Sequence, residues 1–379
     1  MRTRSLYGRA YLGGLIRNRV NIAIADGLIS EVRIGDPAPG AELIEGVILP
    51  GFIDVHVHGA AGADFMDADR RGTSLIIDHH ARNGTTAMAA TTLSASPEDL
   101  SAAVEAIAGA VRESGPGTAE IVAIHLEGPF INPARAGAQD PSSIRPPDIP
   151  EIEALIRKAP DVRWLLTMAP ELEGSTALIE RFRDDVILSV GHSDATFGEA
   201  LEAFERGASH VTHLFNAMRP LHHREPGVIG ALLTTDDVTA ELIADGVHLH
   251  PAVLSYFARS LPSRIVLVTD AMRACGMPHG NYRLYEHEVT VDENGARLAD
   301  GKLAGSTLTM GRAVCNMVEL AGLPLELIVP MVSETPARIL GVSDRKGKIE
   351  VGFDADLVVI SPQLTTDRVF ARGVEVAAA

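Results

Sequence analysis

Between Val47 and Asp270, short apolar runs alternate with longer stretches in which apolar residues recur at helical spacing. The runs fall at Val47–His58, Thr85–Thr92, Ile121–Glu127, Arg163–Ala169, Val186–Gly191, Ser209–His213, Ala240–Ala244 and Ile265–Asp270. Such runs suit strands buried on both faces, as in parallel sheets. Helices are predicted between them. Pro97–Glu113 opens with Ser96 as N-cap and with Glu98 and Asp99 in its first turn; Thr196–Arg206 and Pro251–Ser260 also have helical spacing. The alternation predicts a (β/α)8 TIM-type barrel. An open doubly wound sheet is the alternative, although no G-x-G-x-x-G follows the first strand.

The flanks read differently. Asn21–Ala25 and Leu28–Ile34 enclose Asp26-Gly27, a hairpin signal. At the other end Lys346–Gly352, Asp356–Ile360 and Arg368–Val376 read as strands. Two β-rich ends around a different middle predict a small β-sandwich domain formed from both termini, residues 1–49 and 341–379, beside a barrel at 50–340. Tyr282–Leu303 breaks the barrel rhythm and reads as short strands with a turn at Asn294-Gly295. Helices are predicted again at Thr307–Leu320, Pro324–Val329 and Pro336–Leu340.

The chain has 379 residues, 46% of them hydrophobic, and a formal net charge of −17. That charge argues against nucleic acid and anionic membrane as partners, and an anionic substrate would need a local cationic pocket. The two cysteines, Cys275 and Cys315, fit a reduced compartment without a disulfide framework. The first residues lack a signal-peptide core, and no apolar run approaches the ~18 residues of a membrane span. A cytoplasmic protein is expected.

Chemistry collects at the strand ends. Ile121–Glu127 is an apolar strand that stops at a carboxylate, with Gly128-Pro129 immediately after and no basic residue until Arg135. A carboxylate there needs a cationic partner from elsewhere in the chain. The first strand carries Asp54, His56 and His58 on one face; the fifth ends in His192-Ser193-Asp194, the sixth in His213, the eighth in Asp270. Taken singly, each has a plain explanation: a hydrogen-bonded core histidine, an Asp cap, a Glu paired with arginine. His79, His80, His125 and His210 are left in that class. Together, five strand ends bearing imidazoles or carboxylates at one rim point to a divalent metal such as zinc or iron.

These residues stand in longer motifs: Pro50-Gly51-Phe52-Ile53-Asp54, His125-Leu126-Glu127-Gly128-Pro129-Phe130, Gly191-His192-Ser193-Asp194-Ala195-Thr196, Thr212-His213-Leu214-Phe215-Asn216-Ala217-Met218, Arg224-Glu225-Pro226-Gly227, Ala244-Asp245-Gly246-Val247-His248 and Val268-Thr269-Asp270-Ala271-Met272. Over essentially its whole length the chain resembles the N-acetylglucosamine-6-phosphate deacetylases of the amidohydrolase superfamily. The resemblance implies a divalent metal, zinc first among the candidates, held by Glu127, His192 and His213. His56 and His58 stand where some members have glutamine and asparagine, which implies capacity for a second ion bridged by Glu127, hence one or two ions per subunit. It implies backbone N–H groups of Asn216 and Ala217, together with His248 and Arg224, around an amino sugar phosphate, with Arg224 reaching in from the neighbouring subunit of a homodimer. On its own, Arg224 reads as a solvated residue of the polar loop His222-His223-Arg224-Glu225. Where the family usually has a histidine near the sugar, this chain has Gln139, which can still donate a hydrogen bond but cannot become cationic.

The implied reaction is hydrolysis of the acetamido group to acetate and a 2-amino-2-deoxy-hexose 6-phosphate. Asp270 would take the proton of the attacking water and deliver it to the departing nitrogen. Alternatives are a cyclic amidase or deaminase, a deacetylase for another N-acetyl amino sugar such as the galacto epimer, and a non-catalytic sugar-phosphate sensor. Cyclic amidases of this superfamily often carry a metal-bridging lysine on the fourth strand; Trp164–Ala169 has none.

Overall fold

A computed structural model describes residues 4–377, so Met1–Thr3 and the last two residues of the expected small domain lie outside the described residues. Eight parallel strands form one sheet in chain order: β1 (Phe52–Val57), β2 (Thr85–Thr92), β3 (Glu120–Glu127), β4 (Arg163–Met168), β5 (Val186–Val190), β6 (His210–Val211), β7 (Thr239–Ile243) and β8 (Ile265–Val268). A bridge between Val57 and Ala271 brings the last strand round to the first. There His58 N donates to Ala271 O at 2.9 Å and Asp270 N to His56 O at 2.9 Å. This is the (β/α)8 barrel that the alternation predicts.

Every residue of β1, β2 and β5 is buried, which is why the pattern reads as apolar runs rather than as alternation. A helix follows each of the first seven strands, among them Arg70–Arg82, Pro97–Glu113 and Phe197–Arg206, and three follow β8, at Met310–Glu319, Leu325–Val332 and Glu334–Ile339. Ser96 Oγ accepts from Asp99 N, and Thr196 forms a capping box with Glu199, so both helix starts are set by local sequence.

The run Val47–His58 is not one strand. Glu42–Pro50 belongs to a second sheet and β1 to the barrel. Pro50 and Gly51 make the break. A Cβ at Gly51 would lie 2.2 Å from Thr86 Oγ1, so the chain can turn this tightly against β2 only with glycine there.

The second sheet has seven strands, in the order Val374–Val376, Thr366–Ala371, Leu357–Ile360, Glu42–Pro50, Arg4–Leu12, Leu15–Ala25 and Leu28–Ile34. Both ends of the chain therefore share it. Asp26 and Gly27, at φ 52° and 83°, make the hairpin turn their dipeptide predicts. One face, with Leu6, Ile22, Ile48, Leu357 and Phe370, encloses its own apolar core. The alternate residues Val47, Leu49, Val358 and Val369 join the barrel's core. Lys346–Gly352, expected as a strand, is a loop. The Lys346 ammonium is buried among Glu120, Asp354 and Asp356, and that ionic cluster takes the place of a ladder.

After β8 the chain makes a three-stranded antiparallel excursion, Gly280–Leu284, His287–Asp292 and Gly295–Arg297. Leu284 and Leu303, from this stretch, lie against the carboxyl ends of the barrel strands and wall the cavity there.

Candidate active site and metal centre

The two-residue spacing of His56 and His58 on β1 points both imidazoles to the barrel axis, where they meet Glu127, the last residue of β3. His192, His213 and Asp270 stand just past the ends of β5, β6 and β8. All six are buried. Glu127 Oε1 lies 2.9 Å from His213 Nε2, 3.1 Å from His192 Nε2 and 3.4 Å from His56 Nε2; Glu127 Oε2 lies 3.4 Å from His58 Nε2. Asp270 Oδ1 is 3.2 Å from His58 Nε2 and 3.6 Å from His56 Nε2.

Two donor sets, Glu127–His192–His213 and His56–His58–Glu127, each have their ligand atoms within 4.8 Å of one another. His192 and His213 bring their Nε2 atoms to 3.0 Å. Ligands ~2.0–2.1 Å from a tetrahedral ion are ~3.3 Å apart, so the convergence fits a divalent cation. The His192 Nδ1–H donates to Arg135 O at 2.9 Å, which leaves its Nε2 lone pair facing the cluster. A third set, His56–His125–Glu241, does not fit. His125 has both ring nitrogens in use, with Thr167 Oγ1 at 2.7 Å and Val55 O at 3.2 Å.

The electrostatics call for positive charge. Burial would raise the Glu127 carboxyl, but His56 and His192 hold it well below the usual carboxylate range. Burial would likewise lower His56, yet Glu241, Glu127 and Asp270 bring it up to about 9. His58, against the same pull of burial, is raised by its hydrogen bonds to Asp270 and Glu127. Asp54, on the same strand, is not part of the cluster. It accepts from Thr269 Oγ1 at 2.6 Å, ties β1 to β8, and is pushed up by burial to about 7.

Four residues singled out from the sequence have left-handed backbone: His192 (φ 47°), His213 (φ 26°), Ala217 (φ 48°) and Asp270 (φ 49°). Such conformations cost about 1–3 kcal/mol each and persist only where surrounding packing imposes them. All four stand at the same rim of the barrel, beyond the carboxyl ends of β5, β6 and β8.

A cavity of about 360 Å³ opens over the cluster, lined by His58, Glu127, His192, His213 and Asp270 and further by Arg135, Gln139, Asn216, Ala217, His248 and Lys302. That size suits a small polar ligand. A larger cavity, about 1000 Å³, lies at the opposite end of the barrel against Glu120, Arg163 and Arg345, away from any converging donor set among the described residues. Chemistry, not volume, picks out the smaller one.

The expected substrate-side residues divide. Asn216, Ala217 and His248 line the cavity, and His248 Nδ1 is 2.6 Å from Asp245 Oδ2. Asn216 N–H already donates to His213 O at 2.9 Å. Gln139 lines the cavity, but its amide is engaged inside the protein, with Ser94 N and with Glu127 Oε2. Arg224 is exposed, makes a 2.7 Å contact with His223 Nε2, and does not line this chain's own cavity.

Glu241 escaped sequence reasoning. It is fully buried on β7, 2.9 Å from His56 Nδ1, 2.9 Å from His213 N and 3.2 Å from His210 Nε2. The signal was present: a lone carboxylate inside the apolar strand Ala240–Ala244, the same signal that singled out Glu127. Lys302, in the cavity wall, carried no such signal.

Residues 47–376 match the model of the amidohydrolase family. The chain is 41% identical over 362 residues to an N-acetylglucosamine-6-phosphate deacetylase of Bacillus subtilis (strain 168), covering 93% of this chain and 91% of that protein. It is 39% identical over 353 residues to an N-acetylgalactosamine-6-phosphate deacetylase of Escherichia coli O157:H7, covering 93% of each. Among solved structures, an aspartate-to-alanine mutant of the Mycobacterium smegmatis N-acetyl-D-glucosamine-6-phosphate deacetylase, in complex with N-acetyl-D-glucosamine-6-phosphate, superposes with a TM-score of 0.94 at 35% identity over all of both chains. Fold, donor cluster and these similarities agree: the chain belongs to the amidohydrolase family.

Proposed function

We propose that the protein deacetylates N-acetyl-D-glucosamine 6-phosphate, giving D-glucosamine 6-phosphate and acetate. The observation that carries this reading is the meeting of Glu127, His192, His213 and Asp270 at the floor of one cavity. Glu127, His192 and His213 would hold a divalent ion, with zinc favoured by the imidazole and carboxylate donors, and His56 and His58 would hold a second. When bound, such an ion lowers the pKa of water towards about 7 and polarises a carbonyl oxygen.

Asp270 is the proton carrier. Its carboxyl is kept below the usual range, against burial, by His56 and His58, so it is ionised and ready to accept a proton from water. The same carboxyl then delivers that proton to the departing nitrogen. It is fixed at a strand end, so its reach is set by the barrel rather than by a loop. The Ala217 N–H and His248 would orient the sugar phosphate. Arg224 would come from the neighbouring subunit of a homodimer, since its guanidinium suits paired hydrogen bonds to phosphate and it lies outside its own cavity. No helix among the described residues is long and apolar enough to cross a membrane.

A second reading, the galacto epimer, draws support from the 39% identity to the Escherichia coli N-acetylgalactosamine-6-phosphate deacetylase. Acetate release from the gluco and galacto 6-phosphates, and from unphosphorylated N-acetylglucosamine, separates the cases. We expect the gluco 6-phosphate to be turned over fastest and activity to vanish with a chelator. Faster turnover of the galacto compound would transfer the assignment to that epimer. Tight binding of a sugar phosphate without acetate would leave only a sensor.

A further inference from the structure

We propose that Gln139 is a positioning residue for Glu127, and that by occupying Oε2 it makes Glu127–His192–His213 the tight cation site and His56–His58 the weaker one. This rests on the metal reading given above.

The observation is a relay of two hydrogen bonds. Ser94, just past the end of β2, donates its backbone N–H to Gln139 Oε1 at 2.6 Å. That bond settles which end of the amide is which: the oxygen faces Ser94, so the NH2 faces Glu127 Oε2, to which it donates. Gln139 is 4% exposed, and its backbone N–H is itself held by Ala136 O at 2.9 Å. The glutamine is thus fixed at three points and has little freedom to turn towards a ligand.

The two oxygens of Glu127 differ as a result. Oε1 faces the ring nitrogens of His213, His192 and, at 3.4 Å, His56, and accepts no amide N–H among the described residues. Oε2 faces His58 Nε2 at 3.4 Å and also carries the Gln139 N–H. A carboxylate oxygen has two lone-pair directions, and an N–H on one of them reduces what the oxygen offers a cation. Both donor sets share this one carboxylate. A cation at His213 and His192 uses Oε1, which no amide occupies; a second cation held by His58 takes Oε2, where it competes with Gln139.

The test uses the full chain, stripped of metal by a chelator and dialysed. It is titrated with Co2+ alone, followed by calorimetry and by the visible absorption of the bound ion. In the native protein we expect one equivalent to bind before the second, with affinities separated by about 100-fold. In Gln139→Met, similar in volume but without the amide, the gap should narrow by about 10-fold, the usual scale for loss of a group that orients a metal ligand. Gln139→Asn, one methylene too short to reach Glu127, should behave like Gln139→Met if the latter does not fold. Two equal affinities in the native protein, or an unchanged gap in the variants, would overturn the assignment. Sequential Co2+ binding by a protein that releases no acetate would uphold it while removing the deacetylase reading. A native protein that binds no Co2+ would remove the metal site and this inference with it.

Discussion

His56 Nδ1 lies 2.9 Å from Glu241 Oε2, with neither residue exposed to solvent. The carboxylate accepts a hydrogen bond from the His56 Nδ1–H, which leaves Nε2 facing the donor cluster. The same Oε2 accepts the backbone N–H of His213, and Oε1 meets His210. One buried acid therefore orients residues from two strands. Glu241→Gln should keep the fold and lower metal affinity by about 10- to 100-fold. Glu241→Leu, which strips partners from two buried imidazoles, should in addition cost about 3–5 kcal/mol. Metal titration and urea unfolding of the two variants check this, and native-like metal binding in both would refute it.

Asp270→Asn should retain metal and unfold at the native denaturant concentration, yet lose about 10²- to 10⁴-fold in turnover, the usual range for a positioned proton carrier. Elemental analysis and acetate release on the same preparation separate the two effects. A fall in bound metal equal to the fall in rate would make Asp270 a ligand rather than a carrier.

Lys346 is 2% exposed and sits 2.9 Å from Glu120, 2.8 Å from Asp354 and 2.6 Å from Asp356. Burial would raise Glu120, but hydrogen bonds from Arg345 and the charge of Lys346 keep it at about 2, below its ordinary 4.5. A depressed carboxyl stabilises the fold above its unfolded pKa and loses that contribution as pH falls through the folded value. Native stability should accordingly decline between pH 4.5 and 2. Lys346→Met leaves buried carboxylates without their ammonium and should cost about 3–5 kcal/mol near pH 7. The penalty should shrink with acidification, since protonation then relieves the variant. Unfolding curves across this range decide; a penalty independent of pH would mean that Lys346 acts by packing alone.

Arg224→Ala should raise KM for the phosphorylated sugar by roughly 10- to 100-fold, the worth of one or two hydrogen bonds to a charged group. Its kcat should change little, and any activity on the unphosphorylated sugar should be unaffected. Mixing Arg224→Ala with Asp270→Asn subunits should restore activity, because each mixed dimer would hold one complete site. Failure to restore it would place Arg224 in its own subunit's site or outside any site.

The barrel was legible because strands buried on both faces leave unbroken apolar runs, and because Ser96 and Thr196 mark helix starts through purely local hydrogen bonds. Glu127, His192, His213 and Asp270 stood out as ionisable groups at the ends of such runs. Other features depended on contacts between distant segments. Glu241 lies mid-strand, and its partners come from β1 and β6. The strand expected at Lys346–Gly352 was lost to an ionic cluster whose members come from the start of β3 and the loop before Leu357. The engagement of Gln139 with Ser94 and Glu127 joins three separate stretches of chain, which no spacing in one of them records.

The antiparallel pairing of Pro50 with Leu357 means that the barrel begins and ends at neighbouring strands, with roughly 300 residues between them. At ~10 residues per second on the ribosome, Glu42–Pro50 waits about half a minute for its partner. Its apolar edge, with Val47, Ile48 and Leu49, is open to mispairing throughout that wait. Completing the barrel first brings the two strands side by side and removes most of the closure entropy. The outer sheet is therefore the last part of the molecule to be made whole, and slow or aborted synthesis of the barrel should surface as aggregation through its unpartnered N-terminal strands.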